Sequence, residues 1–109
     1  MDDKEYRARV RELFERVLKT IDAMDPDVVE AELSQGTLTI VAKGQKTILS
    51  PQPPVKQIWL AVASKGIALH FSFEAETQRW LDDKGQGREV LSYTSEVLSQ
   101  LSGQAIRLS

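Results

Sequence analysis

The chain has 109 residues, 14 Lys and Arg against 16 Asp and Glu, and no cysteine, a length that fits one domain over residues 1–109 and not two. Without cysteine it forms no disulfide, has no thiolate nucleophile, and holds neither zinc nor an iron–sulfur cluster through its own sulfurs. The net charge of −2 is unevenly spread: Asp22 to Glu32 carries five acids and no base, whereas Leu33 to Phe73 carries four lysines and no acid, which gives two surfaces of different character and no basic stripe for nucleic acid.

The opening residues are charged and contain no long apolar run, so neither a leader nor a membrane span is expected, and the expected location is the cytoplasm. Residues 4–24 repeat apolar side chains at helical spacing, Tyr6, Val10, Leu13, Phe14, Val17, Ile21 and Met24, with Asp2 and Asp3 where a cap and first-turn acids belong. Pro26 ends this pattern. Val28 to Leu33, with Val29, Ala31 and Leu33 alternating against Val28, Glu30 and Glu32, then Thr37 to Ala42 and Lys46 to Ser50 read as short strands, joined by turns at Gln35-Gly36 and Lys43-Gly44-Gln45. PQPP at 51–54 reads as a rigid connector that cannot join a ladder. KQIWLAV at 56–62 is a fourth strand and IALHFSF at 67–73 a fifth, with TQRWL at 77–81 as a short sixth. From Arg88 helical spacing returns through Val90, Tyr93, Thr94, Val97, Leu98 and Leu101, and Gly103 stops it.

A run of strands between two helices, each with one apolar stripe, predicts an α+β fold: a two-layer α–β sandwich with two helices on one face of a five- to six-stranded antiparallel sheet. The opposite face is then bare. If Ile58, Leu60 and Val62 point to the helices, strand alternation sends Gln57, Trp59 and Ala61 outward, along with Thr37, Thr39 and Val41. Tryptophan on such a face points to a binding hot spot. A loop or the C-terminal tail folded over it would explain the same residue without any partner.

The segment GTLTI, then GQKTILSPQPPVKQIWLAV, then HFSF, Trp80 and a second helix, preceded by EYRARVRELFERVLKTIDAMD, resembles the frataxin family in order and nearly over the whole length. The resemblance implies the same sandwich and a role in iron–sulfur cluster assembly. In that family an acidic ridge binds iron weakly and meets a basic surface of the cysteine desulfurase, and the bare sheet face meets the desulfurase–scaffold assembly. The matching ridge positions are Asp22, Asp25, Asp27, Glu30 and Glu32. The matching sheet positions are Gln52, Gln57 and Trp59, with His70 where relatives carry arginine or histidine. Leu18 and Lys19 stand where relatives often carry further acids, so iron binding weaker than in richly acidic relatives is expected.

Physics allows the metal reading without requiring it. Carboxylates about 6 Å apart repel by roughly 0.7–3 kcal/mol depending on effective dielectric, which a cation relieves, and oxygen-only donors suit hard cations. The same acids also serve solubility and protect an edge strand from pairing. No catalytic set can be nominated: one histidine, no HExxH, and a GQG too short for a phosphate cradle. The expectation is therefore a monomer that acts by binding. A ferroxidase using the same carboxylates and a metal-independent acidic adaptor or chaperone are the rivals. Trp80 is expected in packing, and Asp82 and Asp83 in loop solvation.

Overall fold

The computed structural model describes residues 1–109. Helix α1 (Asp3–Asp22) leads into six strands, β1 (Val29–Ser34), β2 (Thr37–Ala42), β3 (Gln45–Gln52), β4 (Gln57–Val62), β5 (Ile67–Glu74) and β6 (Arg79–Asp82), and helix α2 (Val90–Ser102) follows. The strands form one antiparallel sheet in sequence order, β1 to β6. Both helices lie on one face. This is the architecture expected from the pattern, with the short sixth strand present.

Helix α1 starts where Asp2 accepts a hydrogen bond from the Glu5 N–H, and it buries Tyr6, Val10, Leu13, Phe14, Val17 and Ile21. Met24, the last member of the expected stripe, lies beyond the helix and is only half-buried. Helix α2 is capped by Glu89, whose carboxylate accepts from the Leu91 and Ser92 N–H groups. It ends at Gly103 in the left-handed conformation (φ 74°). The tail runs extended beside α2: Ser99 Oγ accepts from Ile106 N–H, Ser95 Oγ accepts from Leu108 N–H, and Ile106 and Leu108 are buried.

The two-residue turns hold positive φ at both positions, Gln35 and Gly36, then Lys43 and Gly44, the geometry whose twist matches a tight hairpin. Inward residues Leu38, Ile40, Leu49, Ile58, Leu60, Val62 and Phe71 join the helices in one core of 23 buried residues. Leu33, which shares the Val29 and Ala31 side of β1 by alternation, is 47% exposed. It lies beside Val10, Phe14 and Pro51 in an apolar groove at the margin of α1, where the helix no longer roofs the sheet.

One expectation fails at the prolines. Strand β3 continues through Pro51 and Gln52, which pair with Ile58 and Gln57, and only Pro53–Val55 forms a separate 3₁₀ turn. The reason lies in Tyr6. Its hydroxyl donates to the Gln57 carbonyl (2.6 Å) and accepts from the Gln52 N–H (3.0 Å), bridging the last β3–β4 pair from below. The Gln52 N–H therefore aims towards β4, and strand alternation turns the missing N–H of Pro51 the other way, past the start of β2 at Thr37. No ladder bond is lost. Replacing Tyr6 with phenylalanine is expected to lower unfolding free energy by about 1–2 kcal/mol through the two stranded polar groups, measurable by urea denaturation, and an unchanged midpoint would show the bridge to be dispensable.

Candidate functional site

The bare face of the sheet is built by register. Across the centre, Ser50, Trp59 and His70 lie side by side, and Gln52, Gln57 and Ser72 form the next row. Thr39 and Val41 lie on the same face on β2, Ala61 on β4 and Ala68 on β5. Strand alternation puts all of them opposite the helices. Trp59 is 36% exposed, and neither a loop nor the tail covers it.

The indole is held from two sides. His70 stacks on it with ring centroids 4.2 Å apart and planes 12° from parallel. Its Nε1–H donates to Gln57 Oε1 at 2.9 Å. The Gln57 amide nitrogen in turn donates to Ser72 Oγ (3.2 Å) and Asp83 Oδ2 (3.4 Å). Asp83 Oδ2 lies 3.6 Å from His70 Nδ1, and the Asp83 N–H donates to the His70 carbonyl at 2.9 Å. Trp59, Gln57, Asp83 and His70 thus form a closed ring. Gln52 reaches it through its pairing with Gln57.

Asp83 is the member that sequence reasoning missed, having assigned it to loop solvation. A signal was present: alternation along β6 places Trp80 and Asp82 inward, and the next residue outward. The loop-solvation reading also fails for Asp82. Its buried carboxylate accepts from the N–H groups of Lys84, Gln86 and Arg88 and lies 3.8 Å from the Arg88 guanidinium. It organises the loop from inside. Trp80 is core, edge-on to both Tyr6 and Phe73.

The acids occupy a second surface at the β1 edge. Asp22 is the last residue of α1. Asp25 shapes the connection: its Oδ1 accepts from the Asp27 N–H, and its carbonyl accepts from Val28 and Val29. Asp22, Asp25 and Asp27 are all exposed. Glu30 and Glu32 project from the bare face of β1 opposite Val41 and Thr39, beside a shallow depression that Lys46 also lines. No group of three or more His, Asp or Glu side chains converges in a geometry that could hold a metal ion. The five carboxylates form a row of separate charges and not a coordination cage. Leu18, at a position expected to be acidic in relatives, packs against the core. No helix is long and apolar enough to cross a membrane.

Fold and surface together define a frataxin-type α–β sandwich with a buttressed tryptophan on its open face and a row of acids at one edge. A family model described as a frataxin-like domain matches residues 1–104. The chain belongs to the frataxin-like family. It is 32% identical over 109 residues to the iron-sulfur cluster assembly protein CyaY of Tolumonas auensis, covering 99% of each chain. It is also 32% identical to the CyaY of Aeromonas hydrophila, covering 98% of each. The structure of a frataxin from Psychromonas ingrahamii superposes with a TM-score of 0.88 at 24% identity, over 100% of this chain and 99% of that one, a likeness of fold.

Proposed function

We propose that this protein serves iron–sulfur cluster assembly as a binding component, docking on the cysteine desulfurase–scaffold complex and attracting iron weakly. One observation carries the reading: an exposed tryptophan, fixed in orientation by its neighbours, near the centre of the sheet face that the helices leave bare. Aromatic anchors of this kind dominate interface energies when a partner desolvates them. The curated relatives, named as iron–sulfur cluster assembly proteins, supply the process. Under this reading the row Asp22, Asp25, Asp27, Glu30 and Glu32 is the long-range element. Exposed acids steer a basic partner surface and raise local cation concentration, and salt weakens both effects. The test is capture of the desulfurase–scaffold complex by the wild type, Trp59→Ala and Glu30→Lys. Capture undiminished by either change would overturn the two-surface model.

The protein acts by binding and not by turnover. Separated surface carboxylates do not enclose an Fe²⁺ ion closely enough to hold it and an oxidant together. Fe²⁺ oxidation in air is expected to run at the buffer rate with protein present, and to be unaffected by combined Asp22→Ala, Asp25→Ala and Glu30→Ala changes. A protein-dependent rate that these changes abolish would instead establish the ferroxidase.

A further inference from the structure

We infer that Asp83 is a positioning residue for the Trp59 anchor, acting through Gln57 and His70; the inference deepens the docking role proposed above and rests on it for its consequence. The indole touches only two of the ring's other members, and both lead to the same carboxylate. Gln57 Oε1 accepts from the indole Nε1–H (2.9 Å), which leaves the Gln57 amide nitrogen to face Ser72 and Asp83. His70 covers one face of the indole and turns Nδ1 towards Asp83 Oδ2 (3.6 Å). A carboxylate only accepts hydrogen bonds. Asp83 therefore reinforces the amide orientation that the donor-only indole N–H requires, in which Gln57 offers its NH₂ towards the end of β6 and its oxygen to the indole. With the carboxylate removed, the amide nitrogen keeps only Ser72 as an acceptor, and the Gln57 side chain loses its tie to the residue that follows β6.

The same carboxylate restrains the imidazole. The Asp83 backbone is tied to β5 independently, through its N–H bond to the His70 carbonyl, so the side chain can be removed without releasing the chain. Two long or planar side chains and an exposed indole are thus immobilised before any partner arrives. Ordering one such side chain on binding costs about two- to twelvefold in affinity. Asp83 prepays part of that cost in the free protein.

The test begins with the free protein. In ¹⁵N-labelled protein the two tryptophan indole N–H signals are assigned with Trp59→Phe. In Asp83→Ala the Trp59 indole signal is expected to shift, exchange faster with solvent and lose order, while the Trp80 signal, from the core, stays in place. Asp83→Asn, which keeps an acceptor oxygen for Gln57, should restore most of the Trp59 order. A Trp59 signal that does not respond to Asp83→Ala overturns the inference. The second arm measures affinity for the purified desulfurase–scaffold complex. A loss of about two- to twelvefold in Asp83→Ala with an unchanged melting temperature supports the inference. Full affinity in Asp83→Ala beside a clear loss in Trp59→Ala overturns it. If Trp59→Ala also binds fully while the indole signal of Asp83→Ala has moved, the docking role fails and the positioning stands.

Discussion

Trp59→Ala is expected to weaken capture of the desulfurase–scaffold complex about thirtyfold or more, and to do so with little loss of stability. The size follows from the usual cost of truncating a central aromatic anchor, about 2 kcal/mol or above. The stability cost is small because the ring is not part of the core. Ile58 and Leu60, its neighbours in sequence, are fully buried on the other face, and they carry the packing of β4. What the fold loses is one stack on His70 and one hydrogen bond to Gln57, together about 1 kcal/mol. That dissociation between binding and stability is the diagnostic result. Isothermal titration against the purified complex gives the affinity, and a thermal melt of the same sample gives the stability. If affinity holds, the sheet face is not the docking surface, whatever the melt shows.

Much of the arrangement behind this result is legible in the sequence, because it depends on period-two alternation. Once Ile58 and Leu60 are assigned to the core, Trp59 must face outward, and the register with His70 follows from the short turn after Val62. What escapes is everything set by interactions between distant segments. Pro51 looks like a breaker because proline lacks an N–H, but whether that lack costs a ladder bond depends on where β2 ends and on a tyrosine 45 positions earlier in the chain. Leu33 looks like core because it alternates correctly, but the roofing helix does not extend over it. Asp82 and Asp83 look like a solvated pair because both are charged and precede a glycine-bearing loop. Their roles separate only because one points in and the other out. For the acidic row, sequence locates the charges and says nothing of convergence. In the fold, the β1 pleat puts Glu30 and Glu32 on one face, and no three of the acids converge.

Asp82 carries the largest expected effect on stability. Its carboxylate is the acceptor for three backbone N–H groups within the 83–88 loop, and its side chain is fully buried. Alanine there leaves those donors without partners, at a combined cost of about 2–4 kcal/mol, which lowers the melting temperature by roughly 10–20 °C for a domain of this size. Asparagine is intermediate. Its single oxygen still serves Lys84 and Gln86, but its NH₂ meets the Arg88 N–H donor to donor. The effect also depends on pH with a definite sign. Burial favours the neutral acid, but the N–H groups of Arg88, Lys84 and Gln86 and the Arg88 charge outweigh it and hold the carboxyl below its usual range. The folded protein therefore takes up this proton less readily than the unfolded chain, whose carboxyl titrates near ~3.9. The stabilisation is complete above that value and is lost as pH falls through the lower folded-state value. Wild type minus Asp82→Asn, measured by urea denaturation at pH 7, 4 and 3, should be widest at pH 7 and shrink on acidification. A gap that stays constant down to pH 3 would mean that the ionised carboxylate is not what holds the loop. The Trp59 anchor would feel the difference too, since Asp83 enters its ring from the residue next to Asp82.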